Sequence, residues 1–354
     1  TYGDWSSDVC SSDRLTGKLG KFSVGAMNIE TRAEDVSGTP STNFTVARIK
    51  RDILRRSSVG AMVTNRSQSA LTRGGSNQVY GVDAALGFFQ DLNLGGYWSR
   101  SDTESRTVDN DSYQGRFDFA PDKYGVRFDY LKVGKNYTPE VGFTRRTNFK
   151  RSFASARYSP RPRGSKRVRK YTSEATYEYL QNGSGQLESM QGGGRFNTEF
   201  QNSDSFQFEV NNNYELLLKP FTVAPGVIIP AGGYHFTDST ITYGFGQQRR
   251  ASGALALQTG QFYDGNIVAL TYSSGRLAIL KQWSVEPSFV LNTVSLPAGD
   301  FSTTILRART DYGFSPRMFM SALMQYSSTD RLFSSNLRFR WEYKPGSEMF
   351  VVYT

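Results

Sequence analysis

Residues 336–343 read NLRFRWEY, and they alternate without a slip: Leu337, Phe339, Trp341 and Tyr343 point one way, Arg338, Arg340 and Glu342 the other. A period of two belongs to a β-strand with two unlike faces. The pattern recurs along the chain. In SFQFEVNNNYEL, Phe206, Phe208, Val210 and Tyr214 oppose Gln207, Glu209, Asn211, Asn213 and Glu215. YGVRFDYL sets Tyr124, Val126, Phe128 and Tyr130 against Arg127 and Asp129. WSVEPSFVL sets Trp283, Val285, Pro287, Phe289 and Leu291 against Ser284, Glu286 and Ser288, with Pro287 costing the strand a ladder donor. LRARTDYGF sets Leu306, Ala308, Tyr312 and Phe314 against Arg307, Arg309 and Asp311.

From residue 17 onward the pattern predicts one repeating design, strands of roughly 9 to 14 residues joined alternately by a tight turn and a longer polar link. Tight turns are expected near 54–57, 90–93, 120–123, 201–205, 247–251, 280–282, 315–316 and 344–347. Longer links are expected at 31–43, 67–77, 101–111, 134–148, 181–186, 219–235, 261–265, 296–300 and 328–332. The expected fold is all-β, a large antiparallel transmembrane barrel with about 18–20 strands visible, and the count along the chain is about 19, an odd number.

Alternation alone does not say which face is wet. Two points favour apolar residues facing lipid. Soluble sandwiches use strands of about 5–6 residues, whereas a tilted bilayer-spanning strand needs about 9–11. Outer-membrane barrels also gather short turns at one end and longer loops at the other. Aromatics crowd the tight-turn ends (Phe119, Tyr124, Trp283, Phe314, Phe319, Trp341, Tyr343 and Phe350), as an interfacial girdle would. The lipid-facing or girdle set is therefore Tyr124, Phe128, Phe206, Phe208, Trp283, Phe289, Phe314, Phe339, Trp341 and Tyr343. The lumen-facing charged set is Arg127, Asp129, Glu209, Glu215, Arg307, Arg309, Asp311, Arg338, Arg340 and Glu342. Asp311 and Glu342 are the nearest acidic partners for the four C-terminal arginines.

Composition narrows the alternatives. A mean hydropathy of −0.50 with 21% charged residues excludes a bundle of membrane helices but not a barrel, in which every second residue is apolar. Aromatics are 14%, with 34 Gly and one His. The net charge of +10 raises the question of nucleic acid. The basic residues are mostly spread singly among carboxylates, however, and the one dense cluster, SPRPRGSKRVRK at 159–170, reads as a solvated turn beside the membrane. No nucleic-acid partner is expected.

The single cysteine, Cys10, lies in WSSDVCSSD, which has no periodicity and resembles translated adapter sequence. Residues 1–13 are set aside as a non-native leader, and 14–354 form the barrel domain.

Several stretches carry a family resemblance: RLTGKLGKFSVGAMNIET, NFTVARIKRDILRRSSVGAMVTNR, YTPEVGFTRR, FQNSDSFQFEVNNNYELL, FTVAPGVIIPAGGYHF, QFYDGN, SPRMFMSALMQY and LRFRWEYKPGSEMFVVY. In order and spacing the chain resembles the outer-membrane barrel family of unknown function that often follows a family-9-type carbohydrate-binding domain in Gram-negative envelope proteins. The resemblance implies a bacterial outer-membrane location and a barrel fold, and it carries over no catalytic residue. Such proteins have the sugar-binding domain before the barrel and end in a further aromatic-terminated strand, so the chain reads as a fragment cut at both ends. An odd strand count would leave the last strand ending on the wrong side of the membrane with an unpaired edge. Counting across Pro345 and Gly346 sets Trp341 opposite Phe350 and Phe339 opposite Val352.

Candidate chemistry is sparse. His235, with Asp238 and Ser239 close by in sequence, is the one place for a catalytic pair, but no nucleophile elbow accompanies it. Asp109–Ser112, with Asp102 and Glu104, offers oxygen ligands without the glycine or bidentate glutamate of a calcium loop. Gly192–Gly194 is followed by no helix that would make it a phosphate cradle. No cofactor, metal or enzyme activity is expected. The apolar, Pro- and Gly-rich link 219–235 should not dangle in water; it constricts the mouth of the barrel or packs on neighbouring loops. The first functional reading is a conduit or receptor for a polar solute, saccharide-related through the missing domain. The second is a non-transporting anchor for a carbohydrate-binding domain, and the third a barrel-embedded hydrolase. Besides membrane lipid and that solute, no partner is indicated, and oligomeric state is left open.

Overall fold

The computed structural model describes residues 10–34, 38–72 and 74–354, and no helix occurs among them. The first strands are β1 (Cys10–Leu19), β2 (Phe22–Thr31), β3 (Thr42–Leu54), β4 (Ser57–Arg66), β5 (Asn77–Phe88), β6 (Leu92–Thr103), β7 (Asp111–Phe119) and β8 (Tyr124–Val133). Next come β9 (Phe149–Tyr158), β10 (Val168–Asn182), β11 (Leu187–Phe200), β12 (Ser205–Leu217), β13 (Phe221–Ala224), β14 (Val227–Ile229) and β15 (Gly232–Phe245). The chain ends with β16 (Ala251–Phe262), β17 (Gly265–Leu280), β18 (Trp283–Leu296), β19 (Gly299–Ser315), β20 (Met318–Ser327), β21 (Leu332–Lys344) and β22 (Ser347–Tyr353). Twenty of the described strands belong to one large antiparallel sheet, and β13 with β14 forms a two-stranded sheet of its own.

β1 adds one strand to those expected, making the count even rather than odd. Gly20, at φ +58°, turns the chain so that Leu19 pairs with Phe22 and the ladder runs back to Cys10 opposite Thr31. Residues 10–13 are thus part of this hairpin; the rest of the proposed leader, 1–9, lies outside the described residues. The expected asymmetry of links also needs correction. The β16–β17 and β18–β19 links, read as long, are two residues each, Tyr263–Asp264 and Pro297–Ala298. Tyr263 adopts φ +52°, the left-handed conformation that lets so short a turn close.

Two compact units divide the chain, Thr1–Ala156 with Tyr177–Glu188, and Arg157–Thr176 with Ser189–Thr354. In the first, β1 to β8 pair each with the next. In the second, β11, β12 and β15 to β22 do the same. In-register pairing carries the alternation of each strand across its neighbours. In the second unit one row runs Phe196–Phe208–Ile241–Leu257–Leu270–Leu291 across six strands. The flanking row runs Phe206–Tyr243–Leu255–Tyr272–Phe289–Leu306–Tyr326–Phe333. Phe208, Ile241 and Leu257 are 42, 47 and 46% exposed. The opposite face carries Arg195, Glu209, Thr240, Gln258, Ala269 and Asn292 in register. Among the described residues eight apolar side chains are buried, while fifty-three large ones are exposed. A soluble fold would lack its main driving force under those conditions.

Two ladder defects have local causes. Pro287 cannot donate, and opposite it β17 buckles: the register jumps from Tyr272–Phe289 to Leu277–Val285, and Ser274 takes φ +51°. In the last hairpin a bulge at Tyr343 shifts β22 by one residue, so Trp341 faces Met349, Phe339 faces Val351 and Arg340 faces Phe350. The pairing expected across Pro345–Gly346 is therefore corrected, because one extra residue in a period-two strand exchanges its faces. Phe350 joins the arginine face, and so does Phe319, which pairs with Arg340. Neither belongs to the aromatic girdle.

This register has a direct check. In a Cys10→Ser background, the pair Trp341→Cys with Met349→Cys should form a disulfide under mild oxidation, and Trp341→Cys with Phe350→Cys should not. Electrophoretic mobility after cleavage between the two strands reads the result, and the reverse outcome would restore the unbulged register.

Candidate functional site

In the second unit the link after β12 folds back as the β13–β14 hairpin, with Gly226 at φ +81° making its tip. Val227 and Ile229 are buried against Val294 and Leu296 of β18 and against Tyr263. Val294 and Leu296 lie on the face of β18 that carries Glu286 and Asn292, so this apolar hairpin rests on the polar face. The sequence left open a constriction of the mouth or packing on neighbouring loops; the hairpin packs on strand residues of β18 as well as on Tyr263 of the β16–β17 link. Tyr263 donates from its hydroxyl to Glu215 Oε2 at 2.8 Å. Burial, then the Glu215 carboxylate, push the Tyr263 phenol well above the ordinary tyrosine range. Tyr234 donates to the Pro230 carbonyl at 2.8 Å and closes the base of the hairpin.

In the first unit, the link 134–148 is likewise pinned to the polar face. Glu140 is nearly fully buried, and it accepts from Ser69 Oγ at 2.6 Å, the Ala70 amide at 2.7 Å and Arg66 at 3.2 Å. Asn77, with no exposure, donates to the Thr138 carbonyl at 2.8 Å and accepts from the Glu140 amide at 3.1 Å. Tyr137 shares a 2.8 Å hydroxyl bond with Ser99. Beneath this link lies a cavity of about 550 Å³, bounded by Arg48, Thr64, Asp83, Tyr97, Tyr137 and Phe143 among others. Arg48 grips both oxygens of Asp83, at 2.8 and 3.0 Å. Sequence reading missed Glu140, Asn77 and Tyr137, since what marks them is contact between distant residues, sixty-one and seventy-one positions apart for Asn77 and Glu140 and thirty-eight for Tyr137.

Within each unit the expected charged residues share the polar face of their strands, with varied partners. Asp129 is buried between Arg116 at 3.1 Å and Arg151 at 2.9 Å. Arg127 lies over the Phe153 ring. Glu209 accepts from Gln207 and Asn211, each at 3.2 Å. Arg309 pairs with Asp311 at 3.0 Å, as expected. Arg307 has no carboxylate within 4 Å among the described residues, although Glu286 faces its neighbour Arg309 across the ladder. Glu342 is not the partner of Arg338 or Arg340. Through the Tyr343 bulge Glu348 comes alongside and pairs with Arg340, while Arg338 stacks 4.8 Å from the Phe350 centroid. Glu342 instead accepts from the Gly346 amide.

On the apolar face, Phe128 meets Phe117, Phe289 meets Tyr272, and Trp283 meets Tyr312. Phe314 contacts Phe339, and Trp341 contacts Tyr343. Tyr124 sits under Lys123, and Phe206 pairs with Tyr243.

His235 makes no catalytic pair with Asp238. It pairs with Tyr214, ring centroids 4.5 Å apart, and alternation sends Asp238 to the opposite face, where Asn213 and Gln258 bond it. The acidic link is also engaged internally: Asp109 and Asp111 share Lys132, and Asp102 accepts from Asn110. Gly193 leaves room for Thr176, whose Oγ1 would stand 2.7 Å from an added Cβ. In the basic turn, Arg169 pairs with Glu199 at 2.7 Å.

At the tight-turn end, Asp204 joins two turns. It accepts from the Gly246 amide at 2.8 Å, Arg249 at 2.5 and 3.0 Å and Tyr243 at 3.0 Å. The Gly246 amide, with help from Arg249 and Tyr243, holds its carboxyl at about 2, below the usual 3.8.

No protein-family model matches the chain, and no match was found among curated proteins. Among solved structures it aligns with the ferric yersiniabactin uptake receptor FyuA from Yersinia pestis, at 10% identity and a TM-score of 0.28. The alignment covers 97% of this chain and 58% of that receptor.

Two measurements follow from these contacts. Asp204 has a depressed folded pKa, so its stabilisation is complete above the unfolded value near 3.8 and is lost as pH falls toward about 2. Urea unfolding of the wild type and Asp204→Asn should therefore differ at pH 5, and the difference should shrink as pH falls through about 2. Glu140→Ala strands Arg66 and frees the 134–148 link at a cost of about 3 kcal/mol, roughly a hundredfold in released population. Trypsin should then cut at Arg145–Arg146 correspondingly faster, and unchanged cleavage would show that other contacts hold the link.

Proposed function

We propose that the chain forms an outer-membrane β-barrel that conducts or receives a polar solute, its apolar face turned to lipid and its charged face to a water-filled lumen. The observation that carries this reading is the pair of apolar rows, largely exposed, set back to back with polar and charged residues. Lipid would supply the apolar surroundings those rows lack, and water the surroundings of the charges. The outer-membrane family that the sequence resembles supports the same location. The β13–β14 hairpin would narrow the passage, and the lining charges would favour polar over apolar solutes.

A second reading, a non-transporting surface anchor, is favoured by the Glu140 clamp, which ties a link down as a fixed structural element would be tied. Planar-bilayer conductance of the purified chain separates the two. The conduit predicts discrete channels whose conductance rises when 219–231 is replaced by a short Gly-Ser turn. The anchor predicts none from either protein.

Face assignment has its own test. Phe208→Arg and Phe128→Arg should each cost roughly 2–4 kcal/mol of folding into liposomes if near mid-bilayer, and Glu209→Gln should be mild. Equal tolerance of all three would turn the strands inside out.

A further inference from the structure

The net charge of +10 is not spread evenly over the chain. In the second unit the turns 159–167, 201–204, 246–250, 281–282, 316–317 and 345–346 carry eight cations and one carboxylate, and every one of those cations is exposed. The links at the other end of the same unit, 218–231, 263–264, 297–298 and 328–331, carry two of each sign. The lone carboxylate among the turns, Asp204, is already paired with Arg249. Arg163, Lys166, Arg167, Arg250, Lys281 and Arg317 have no carboxylate within 4 Å among the described residues. The densest group is also held in place. Gln201 donates from its side chain to the Ser165 and Val168 carbonyls at 3.3 and 3.4 Å, and from its amide to the Arg167 carbonyl at 2.9 Å. Turn 159–167 is thereby fastened to turn 201–204. Cations crowded without counter-charge repel one another, and an anionic surface relieves that repulsion.

The neighbouring side chains say what kind of anion fits. Phe245, Leu280, Phe314 and Tyr343 are exposed on the apolar face and stand within five positions of the turn cations that follow them. Strand side chains project from the face of a sheet, not along the strand into its turn. A nucleic acid or an acidic protein seated on the turns would leave those four uncovered. A bilayer engages both sets, the rings at headgroup level and the long cationic side chains reaching the phosphates just beyond. Six of the eight turn cations are arginines, whose forks match phosphate oxygens in two-bond contacts. Successive turns stand two strands apart, about 10 Å, so the charges follow the edge of the sheet in place of forming one compact patch. We propose that the turn end of the second unit binds the headgroups of anionic phospholipids. The proposal rests on the barrel reading for the presence of a bilayer. Short turns of such barrels face the periplasm, so this rim would seat the chain against the periplasmic leaflet.

The test reconstitutes the full chain in phosphatidylcholine vesicles holding a trace of acyl-chain spin-labelled phosphatidylglycerol or spin-labelled phosphatidylcholine. Electron paramagnetic resonance then reads how much of each lipid is held motionally restricted against the protein. A cation at an anionic surface strengthens attraction about fivefold, so phosphatidylglycerol should be favoured about threefold when averaged over all contacting lipid. The preference should fall as salt rises from about 0.1 to about 1 M. Replacing Arg163, Lys166, Arg167, Arg250, Lys281 and Arg317 together by Gln should remove about half of it or more. Lys219→Gln with Arg331→Gln, at the other end of the unit, should leave it unchanged. Heat-modified gel mobility confirms that each variant is folded. Equal restriction of the two lipids, or a smaller loss in the six-residue variant, would overturn the rim while leaving the embedded barrel standing. Absence of restricted lipid of either kind would overturn both. Retardation of a short DNA duplex by the detergent-solubilised chain, without any lipid preference, would give these turns to nucleic acid instead.

Discussion

An antiparallel ladder satisfies its backbone groups sideways, and so leaves each strand with two faces that cannot both be hidden by the same neighbour. That constraint governs this chain. Once β12 is paired on both sides, Phe208 and Glu209 must point into different surroundings, and the in-register neighbours Ile241 and Thr240 repeat the demand. A two-layer soluble fold would answer by covering the apolar face with a second sheet or with helices. No helix is present among the described residues, and the rows through Phe208 and Phe206 stay open. What is covered is the polar face. This inversion of the usual order is what the proposal of lipid on the apolar side rests on.

The covering elements obey the same chemistry at smaller scale. The β13–β14 hairpin is apolar, yet it lies over a polar face because β18 switches character toward its end. Val290, Val294 and Leu296 replace the Glu286 and Ser288 of the same face. The 134–148 link takes the other route and anchors by hydrogen bonds, with Glu140 meeting a cation, a hydroxyl and an amide at once. A carboxylate buried with that many donors is tolerated where a lone one would not be. Each anchoring mode suits the stretch of strand beneath it.

The periodicity made the strands, their faces and the ends at which most links fall readable from sequence, because an alternating segment carries its own address. It could not expose the defects. A bulge such as that at Tyr343 changes no composition and breaks no alternation within its own strand, so counting through Pro345–Gly346 gives a plausible but shifted register. The Pro287 irregularity was half legible. The missing donor can be read from sequence, but the compensating buckle lies in β17, at Ser273–Arg276, and only the pairing reveals it. Tyr263–Asp264 looked like part of a longer link because a tyrosine is an unusual choice for a left-handed turn position. The site residues were harder still. Asn77 is an ordinary strand residue by pattern, and its role arises from a link that returns to it from sixty or more positions away.

The cavity itself depends on what is absent at two strand positions. An added Cβ at Gly60 would stand 2.9 Å from Asp83 Oδ1 and 3.2 Å from an Arg48 nitrogen, where the ion pair now lies. At Gly81 it would meet the Trp98 carbonyl and the Ser99 Cβ, both at 2.8 Å. Glycine weakens a strand interior through entropy and lost packing. Two of them on the same face, in adjacent strands, are not favoured by the ladder. They are favoured by the space above it, which lets Arg48 and Asp83 lie flat against the sheet. The polar face is thus shaped by the same alternation that builds the sheet: where side chains are large it is filled by them, and where they are missing an ion pair such as Arg48–Asp83 lies in the space.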